Sequence, residues 1–233
     1  MTEDKDLVRM KQEYENRRKH ASGNDLYSFF NKSHYFLISQ RQRSLSQLIR
    51  RHNLHPGKVR RVLEIGCGRG GVLQEFLSYG YSTKQLFGID ILFDRLLEAS
   101  NKLPPVGINC ADGQNLPFEG KSFELVLQFT AFSSILNNEI KARMAQEMLR
   151  VLCPKGAIIW FDFWLNPTNP QTKGIRKREI RQLFPNCSYE FHKITLAPPI
   201  ARRIVPVSWI LGLILESIKV LNTHYLVIIQ KNE

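Results

Sequence analysis

The sequence of 233 residues predicts a single α/β domain built on an open, doubly wound and mostly parallel sheet of seven strands. Three observations predict this fold class: short apolar segments alternate with helical ones from residue 62 onward, these segments are continuously apolar, and most of them end at Gly, Pro or Asp. Continuously apolar strands indicate a sheet that crossover helices cover on both faces. The hydrophobic content of 43% provides enough apolar material for one core.

The first part of the chain, residues 1–55, is predicted to be an N-terminal helical extension. Apolar residues from Ile38 to Ile49 recur near helical spacing among arginines and glutamines. This pattern indicates an amphipathic helix that ends before Pro56. Residues 56–233 are predicted to form the α/β domain, including a strand-helix-strand unit at its C-terminal end.

The elements of this domain follow from runs of apolar residues and their periodicity. Strands are predicted at 62–65, 86–89, 106–110, 123–129, 157–163, 188–196 and 224–230. Helices are predicted between them at 71–79, 93–101, 138–152 and, as one apolar helix, around 207–220. The pattern indicates only weakly that the last two strands form an antiparallel pair.

A glycine-rich turn, GCGRGG at 66–71, follows the first strand and opens a helix. Glycine suits such a turn because the backbone bends sharply and approaches a ligand without a Cβ in the way. The turn alone is ambiguous, since Gly66, Gly68 and Gly71 also match the spacing of dinucleotide-binding proteins. A tight turn without a ligand is the other alternative.

Three carboxylates at strand ends narrow the choice of ligand. Glu64 would favour a cofactor with a cationic amine and sulfonium and would repel a pyrophosphate. Asp90 can accept from two ribose hydroxyls, which fits a nicotinamide cofactor equally well. Asp112 can accept from the exocyclic amine of an adenine, although an Asp before Gly is also common in turns.

Five segments together resemble a known family. They are VLEIGCGRG at 62–70, GID at 88–90, ADGQNLPF at 111–118, FELVL at 123–127 and MLRVLCPKGA at 148–157. In this order and at these separations they resemble the successive motifs of the class I S-adenosylmethionine (SAM)-dependent methyltransferases. The resemblance implies a Rossmann-like methyltransferase fold, SAM as the cofactor and methyl transfer as the activity.

The resemblance also implies a set of positions that contact the cofactor. These are Glu64, Gly66, Cys67, Gly68, Asp90, Ile91, Asp112, Gly113 and Gln128. By this resemblance Glu64 would face the methionine amine, Asp90 the ribose and Asp112 the adenine amine. Ile91 would pack on the adenine, and Gln128 would lie beside the methionine portion.

Methyl transfer from a sulfonium needs mainly proximity and alignment, with a general base only where the acceptor must lose a proton. Asp162 is the best-placed candidate base, because it lies near the end of the fifth strand, where ligands approach such sheets. His192 and His34 are weaker candidates, since a lone histidine is more often structural. The cysteines lack metal-binding spacing, so no metal site is expected.

The acceptor is predicted to be a small molecule or a lipid-linked compound, methylated on an O or N atom. The net charge of +12 keeps an RNA methyltransferase as an alternative. However, the Asn-Pro-Pro-Tyr type of signature, found in enzymes that methylate exocyclic amines of bases, is missing after the fourth strand. A nicotinamide-dependent oxidoreductase and a non-catalytic SAM-binding protein are further alternatives. The sequence does not predict an oligomeric state.

The segment 196–211 combines prolines, two arginines and a large apolar face. It fits a core helix packed on the sheet. It also fits a lid over a hydrophobic acceptor, or a surface in peripheral contact with a membrane through Arg202 and Arg203. No secretory signal or cysteine framework is evident, which favours a cytoplasmic location.

Overall fold

The computed structural model describes residues 8–9, 12–13, 28–166, 169 and 171–232. Its helices from residue 28 onward are α1 (Lys32–Arg51), α2 (Gly71–Ser78), α3 (Phe93–Lys102), α4 (Asn138–Val151), α5 (Lys177–Leu183), α6 (Pro198–Ile204) and α7 (Trp209–Ser217). Its strands are β1 (Val62–Ile65), β2 (Leu86–Asp90), β3 (Gly107–Cys110), β4 (Phe123–Phe129), β5 (Leu152–Phe163), β6 (Cys187–Leu196) and β7 (Asn222–Lys231). Short 3₁₀ segments lie at Thr83–Gln85, Phe132–Ser134 and Lys219–Leu221.

The seven strands form one sheet in the order β3-β2-β1-β4-β5-β7-β6. Strands β1 to β5 run parallel to one another. Strand β7 lies between β5 and β6 and is antiparallel to both. The chain order reverses between β1 and β4, which is where open α/β sheets bind their ligands. The predicted fold class and the antiparallel pair at the end of the chain are confirmed.

Helices cover both faces of this sheet, as the continuously apolar strands predict. One face packs against α1, α2 and α3, with Leu45 and Phe76 among the buried side chains. The other packs against α4 and α5, with Met148 and Trp160 among the buried side chains. The sheet therefore lies at the centre of the core, and its strand ends are held by packing on two sides.

The structure corrects two predicted boundaries. Strand β5 begins at Leu152 rather than at residue 157, because Leu152 pairs with Phe123 and the register then shifts before Leu125. This irregularity accommodates Pro154, which cannot donate to a regular ladder. The helix predicted around 207–220 is found as the shorter helix α7 (Trp209–Ser217), and a separate helix, α6, ends before Pro206. Proline lacks an amide hydrogen and disfavours helical backbone before it.

The N-terminal extension predicted over residues 1–55 falls partly outside the described residues. Within the described part, α1 begins at Lys32 and buries Leu45 and Leu48 in the core. No helix of the described residues is long and apolar enough to span a membrane. The same residues contain no cluster of three or more His, Cys, Asp or Glu that could hold a metal ion.

Candidate functional site

The carboxyl ends of β1, β2 and β4 lie side by side at one edge of the sheet. Ile65 at the end of β1 is level with Ile89 of β2 and Gln128 of β4. The glycine-rich turn leaves β1 at this edge and opens α2. The backbone amides of Gly66 and Cys67 both donate to the Ile89 carbonyl, at 2.8 and 2.9 Å, which ties the turn to β2.

Backbone conformation requires glycine at this turn. Gly66, Gly68 and Gly70 have φ values of +72°, +52° and +75°, which residues with a Cβ rarely adopt. A Cβ on Gly66 would also lie 2.8 Å from the Cβ of Ala131, in the loop after β4. Two loops from the switch point therefore meet closely at Gly66, and the backbone is free to approach a ligand there.

Glu64 is a buried carboxylate on β1 directly before this turn. Its side chain is 2% exposed, and its Oε2 atom has no hydrogen-bond partner among the described residues. Burial raises the pKa of Glu64 to about 8, and the nearby positive charge of Arg41 opposes that shift. A buried carboxylate oxygen without a partner is costly, so this position favours a cationic ligand.

Asp90 ends β2 and holds the turn on its other side. Its Oδ2 accepts from the Gly68 amide at 2.8 Å, and its Oδ1 accepts from the Leu92 amide at 2.9 Å. A carboxylate oxygen has more than one acceptor site, so each oxygen retains capacity for a ligand hydroxyl. Ile91, half-buried, follows at the same edge.

Asp112 and Gly113 lie after β3, at the outer part of the same edge. Asp112 is exposed, and its Oδ1 accepts from the Gln114 amide at 2.8 Å, which forms a local turn. Gly113 is buried, and a Cβ there would lie 2.8 Å from Cε of Met144. The turn therefore packs against α4 and leaves the Asp112 carboxylate in solvent.

Gln128 and Asp162 form a buried network behind this edge. The Gln128 side chain is fully buried, its Nε2 donates to Asp162 Oδ2 at 3.2 Å, and its Oε1 accepts from the Ala131 amide at 2.8 Å. Asp162 also accepts from the amides of Ser133, at 3.0 Å, and Phe163, at 2.8 Å. Burial raises the pKa of Asp162 to about 6, although these hydrogen bonds oppose the shift.

Of the two candidate histidines, His192 lies away from the glycine turn, whereas His34 lies near Arg41. His192 is on the outer strand β6, where its Nε2 is 2.7 Å from Glu190 Oε1. Four strand spacings separate β6 from β1, about 19 Å, so the structure does not bring His192 to the glycine turn. His34 is at the start of α1, and its pKa is lowered by burial and by the charges of Arg41 and Arg202.

Comparisons with known proteins identify a family that this part of the chain resembles. Residues 62–156 match a family model described as a methyltransferase domain. The chain is 32% identical over 112 residues to phthiotriol/phenolphthiotriol dimycocerosates methyltransferase 1 of Mycobacterium ulcerans, covering 47% of this chain and 39% of that protein. It is 30% identical over 106 residues to a sterol 4-C-methyltransferase of Caenorhabditis elegans, covering 43% of this chain and 30% of that protein. The chain thus matches less than half of the length of these curated relatives.

A solved methyltransferase structure shares this fold over a larger part of the chain. The crystal structure of a SAM-dependent methyltransferase from Archaeoglobus fulgidus matches 85% of this chain and 100% of that chain, with a TM-score of 0.52 and 21% sequence identity. Residues 62–156 therefore match a methyltransferase domain, and the chain has the fold of the class I SAM-dependent methyltransferases. SAM is the cofactor of this family, so the predicted family and cofactor are confirmed.

A residue that sequence reasoning missed lies beside the candidate site. Arg41 of α1 lies at the same strand ends, with its guanidinium carbon 5.6 Å from the ring centres of Phe129 and Phe161. Its Nη2 donates to Glu75 Oε2 at 2.5 Å, whereas its buried Nε has no partner. No motif in the sequence links residue 41 to the glycine turn, because the contact depends on how α1 docks on the sheet.

Arg41 and Glu64 together fit the methionine portion of SAM. That portion is a zwitterion, with an ammonium and a carboxylate on one carbon atom. The methyltransferase places a buried carboxylate and a guanidinium at one strand edge, and each has a buried polar atom without a partner. These two unpaired atoms have the charges that complement the zwitterion.

A second residue absent from the predicted site is His224 of β7. Its ring stacks on Phe161 with 4.7 Å between the ring centres, and its Nδ1 is 3.1 Å from Thr223 Oγ1. Burial, together with the charge of Arg41, lowers the pKa of His224 to about 3. This histidine is therefore neutral and packs in a buried aromatic cluster beside Arg41.

Proposed function

We propose that this chain transfers the methyl group of SAM to an O or N atom of a small-molecule or lipid-linked acceptor. The observation that carries the proposal is the buried Glu64 carboxyl beside the half-buried Arg41 guanidinium at the glycine turn, each of which has a buried polar atom without a hydrogen-bond partner among the described residues. Bound SAM supplies an electrophilic methyl group on its sulfonium. The protein then contributes by binding and orienting SAM and the acceptor and by excluding water.

Each residue at the edge has a proposed task. Glu64 would accept a hydrogen bond from the methionine ammonium, and Arg41 would donate to the methionine carboxylate through its unpaired Nε. Asp90 would accept from the ribose hydroxyls with the acceptor capacity that Gly68 and Leu92 leave. Asp112, exposed beyond β3, would accept from the adenine amine, and Ile91 would pack on the adenine ring. Cys67 and Gly113 would contribute backbone alone.

Gln128 and Asp162 are proposed to position the site rather than to react. Three amide donors already hold the Asp162 carboxylate, and Gln128 connects it to Ala131, which contacts the Gly66 turn. A carboxylate so occupied has little capacity left to accept a proton from an acceptor. The network would instead fix the loop after β4 against the cofactor turn. His192 has no proposed role in methyl transfer.

The acceptor is proposed to be apolar apart from the group that is methylated. Relatives named for phthiotriol dimycocerosates and for a sterol support this class. The rings of Phe129, Phe161 and the neutral His224 beside Arg41 are buried and add no second charge at these strand ends, which agrees with an apolar acceptor.

The proposal is tested by supplying SAM with a radiolabelled methyl group together with either a total lipid extract or total RNA. We expect label in the lipid fraction and none in RNA. The Asp90→Ala variant should reduce the transfer at least about tenfold, because it removes the ribose contacts. Label in RNA alone would favour the alternative acceptor, and absence of transfer to both would contradict the proposal.

A further inference from the structure

The outer surface of α7 and the turns around it expose a concentrated set of large apolar side chains. The residues are Val207, Ile210, Leu211, Ile214, Ile218 and Val220, with Val207, Val220 and Ile210 exposed by 86%, 73% and 70%. We refer to this set as the α7 patch. Contiguous exposed apolar surface is uncommon on a protein surface that contacts only water.

The exposed side chains of the α7 patch belong to a helix that is firmly packed on its other side. The opposite side of α7 packs on α1, where the ring centres of Trp209 and Phe36 are 4.9 Å apart. Gly212 is the buried residue of α7, and a Cβ there would lie 3.0 Å from Val205 and 3.2 Å from Phe36. Such close packing fixes the helix, so Ile210 and Ile214 point outward as part of the fold.

Positive charge borders the patch. Arg202 and Arg203 at the end of α6 and Lys219 after α7 are all exposed. Glu216, half-buried, is the one acidic residue between positions 197 and 221. Apolar side chains beside basic ones are the combination that binds an anionic lipid surface.

The patch is on the cofactor side of the sheet. The helices α6 and α7 connect β6 to β7, and β7 begins beside the carboxyl end of β5, with His224 level with Phe163. The Ser33 hydroxyl of α1 donates to the Ala201 carbonyl of α6 at 3.2 Å. The same helix α1 carries Arg41, so the patch and the strand ends at the glycine turn are joined by one packed helix.

We propose that the α7 patch docks this methyltransferase onto an anionic membrane surface, from which it takes its lipid acceptor. The inference deepens the proposed function and rests on it for the nature of the acceptor. Ile210, Ile214 and Val207 enter the interfacial region, while Arg202 and Arg203 contact lipid headgroups. Docking adds apolar burial to electrostatic attraction, and the short helix lies in the interface rather than across it.

Cosedimentation with vesicles tests the apolar part. Wild type should pellet with phosphatidylglycerol/phosphatidylcholine vesicles, less with phosphatidylcholine alone, and less as salt rises. The double variant Val207→Ser/Ile210→Ser should bind at least about tenfold more weakly, because two apolar side chains no longer enter the lipid. The matched control is Phe93→Ser/Leu97→Ser, which removes two exposed apolar side chains of α3 and should bind like wild type.

A second pair separates a specific surface from general adsorption of a protein with a net charge of +12. Arg202→Gln/Arg203→Gln and Lys58→Gln/Arg60→Gln remove the same charge, but the second pair lies before β1, at the opposite edge of the sheet. Only the first should weaken binding to anionic vesicles.

Three results would overturn the docking proposal. The first is no binding of wild type to anionic vesicles, and the second is an equal loss in a control pair. The third is a dimer in analytical ultracentrifugation that Val207→Ser/Ile210→Ser dissociates, since the patch would then bind a second copy. SAM titration on the same variants keeps the tests separate, because the docking variants should bind SAM like wild type whatever the vesicles show.

Discussion

Glu64 shows how a single buried residue links pH to cofactor binding. In the ligand-free protein its pKa is raised to about 8 by burial, so at pH 7 the carboxyl is mostly protonated. An ammonium group beside it favours the ionised form and lowers that pKa. SAM binding near pH 7 should therefore release a proton, measured by calorimetry in buffers of different ionisation enthalpy. Glu64→Gln should abolish the release; proton release that persists in this variant would contradict the assignment.

The same residue sets a pH dependence of stability. Because its folded-state pKa lies above the ordinary value of 4.5, the stability that it contributes is complete below that value and is lost as the pH rises through about 8. Urea unfolding should find Glu64→Gln more stable than wild type at pH 8, by a few kcal/mol at most, and similar to it near pH 4.5. A Glu64→Gln variant that is less stable at both pH values would show that the ionised Glu64 carboxylate does not destabilise the folded protein.

Asp162 is expected to show a structural effect. Asp162→Asn replaces one carboxylate oxygen by an amide nitrogen, which would face the donors of Ser133 and Gln128 or of Phe163. The free energy of unfolding should fall by about 1–3 kcal/mol at pH 8. Glu119→Gln, an exposed carboxylate, should change it by less than about 0.5 kcal/mol. Unchanged stability with lost methyl transfer would instead favour a general base.

At the scale of the element, the glycine turn allows a matched pair of substitutions, at Gly70 and at Gly71. Gly70 has a φ of +75°, and a Cβ there would overlap Leu103, whereas Gly71 is the first residue of α2 and has no neighbouring atom within 4 Å of such a Cβ. Gly70→Ala should lower the free energy of unfolding by about 1–3 kcal/mol. Gly71→Ala should leave it unchanged or raise it by up to about 1 kcal/mol. If both substitutions changed the free energy of unfolding equally, the backbone of the turn would have adjusted to accept the Cβ at Gly70.

The elements that the sequence predicted best are those whose burial is complete. Strands β1 and β4 match their predicted bounds, because nearly all of their residues are buried between the covering helices. The apolar helix predicted near the C-terminus is present as the shorter helix α7, and the sequence left open whether it is buried. Composition could not distinguish a core helix from α7, since the exposed and buried sides of α7 are both apolar.

At the scale of the whole molecule, the strand-end motifs of the candidate site were predictable, and the residues that tertiary packing brings to them were not. The turn, Glu64 and Asp90 follow one another in motifs whose spacing is set by the sheet. Arg41 and His224 come from opposite ends of the sequence and meet only when α1 and β7 pack at the strand ends. His192 was selected by residue type alone, and the strand order places it at the outer edge.

The most direct test of the account is calorimetric titration of SAM into wild type, Arg41→Gln and Arg43→Gln, with NADH as the control ligand. Arg43 is exposed on the same helix and provides the matched loss of charge. We expect wild type to bind SAM and not NADH, Arg43→Gln to match it, and Arg41→Gln to bind about 10- to 100-fold more weakly, as expected for a lost charge-assisted hydrogen bond. No binding of SAM, or equal affinity in Arg41→Gln and wild type, would contradict the proposed cofactor site.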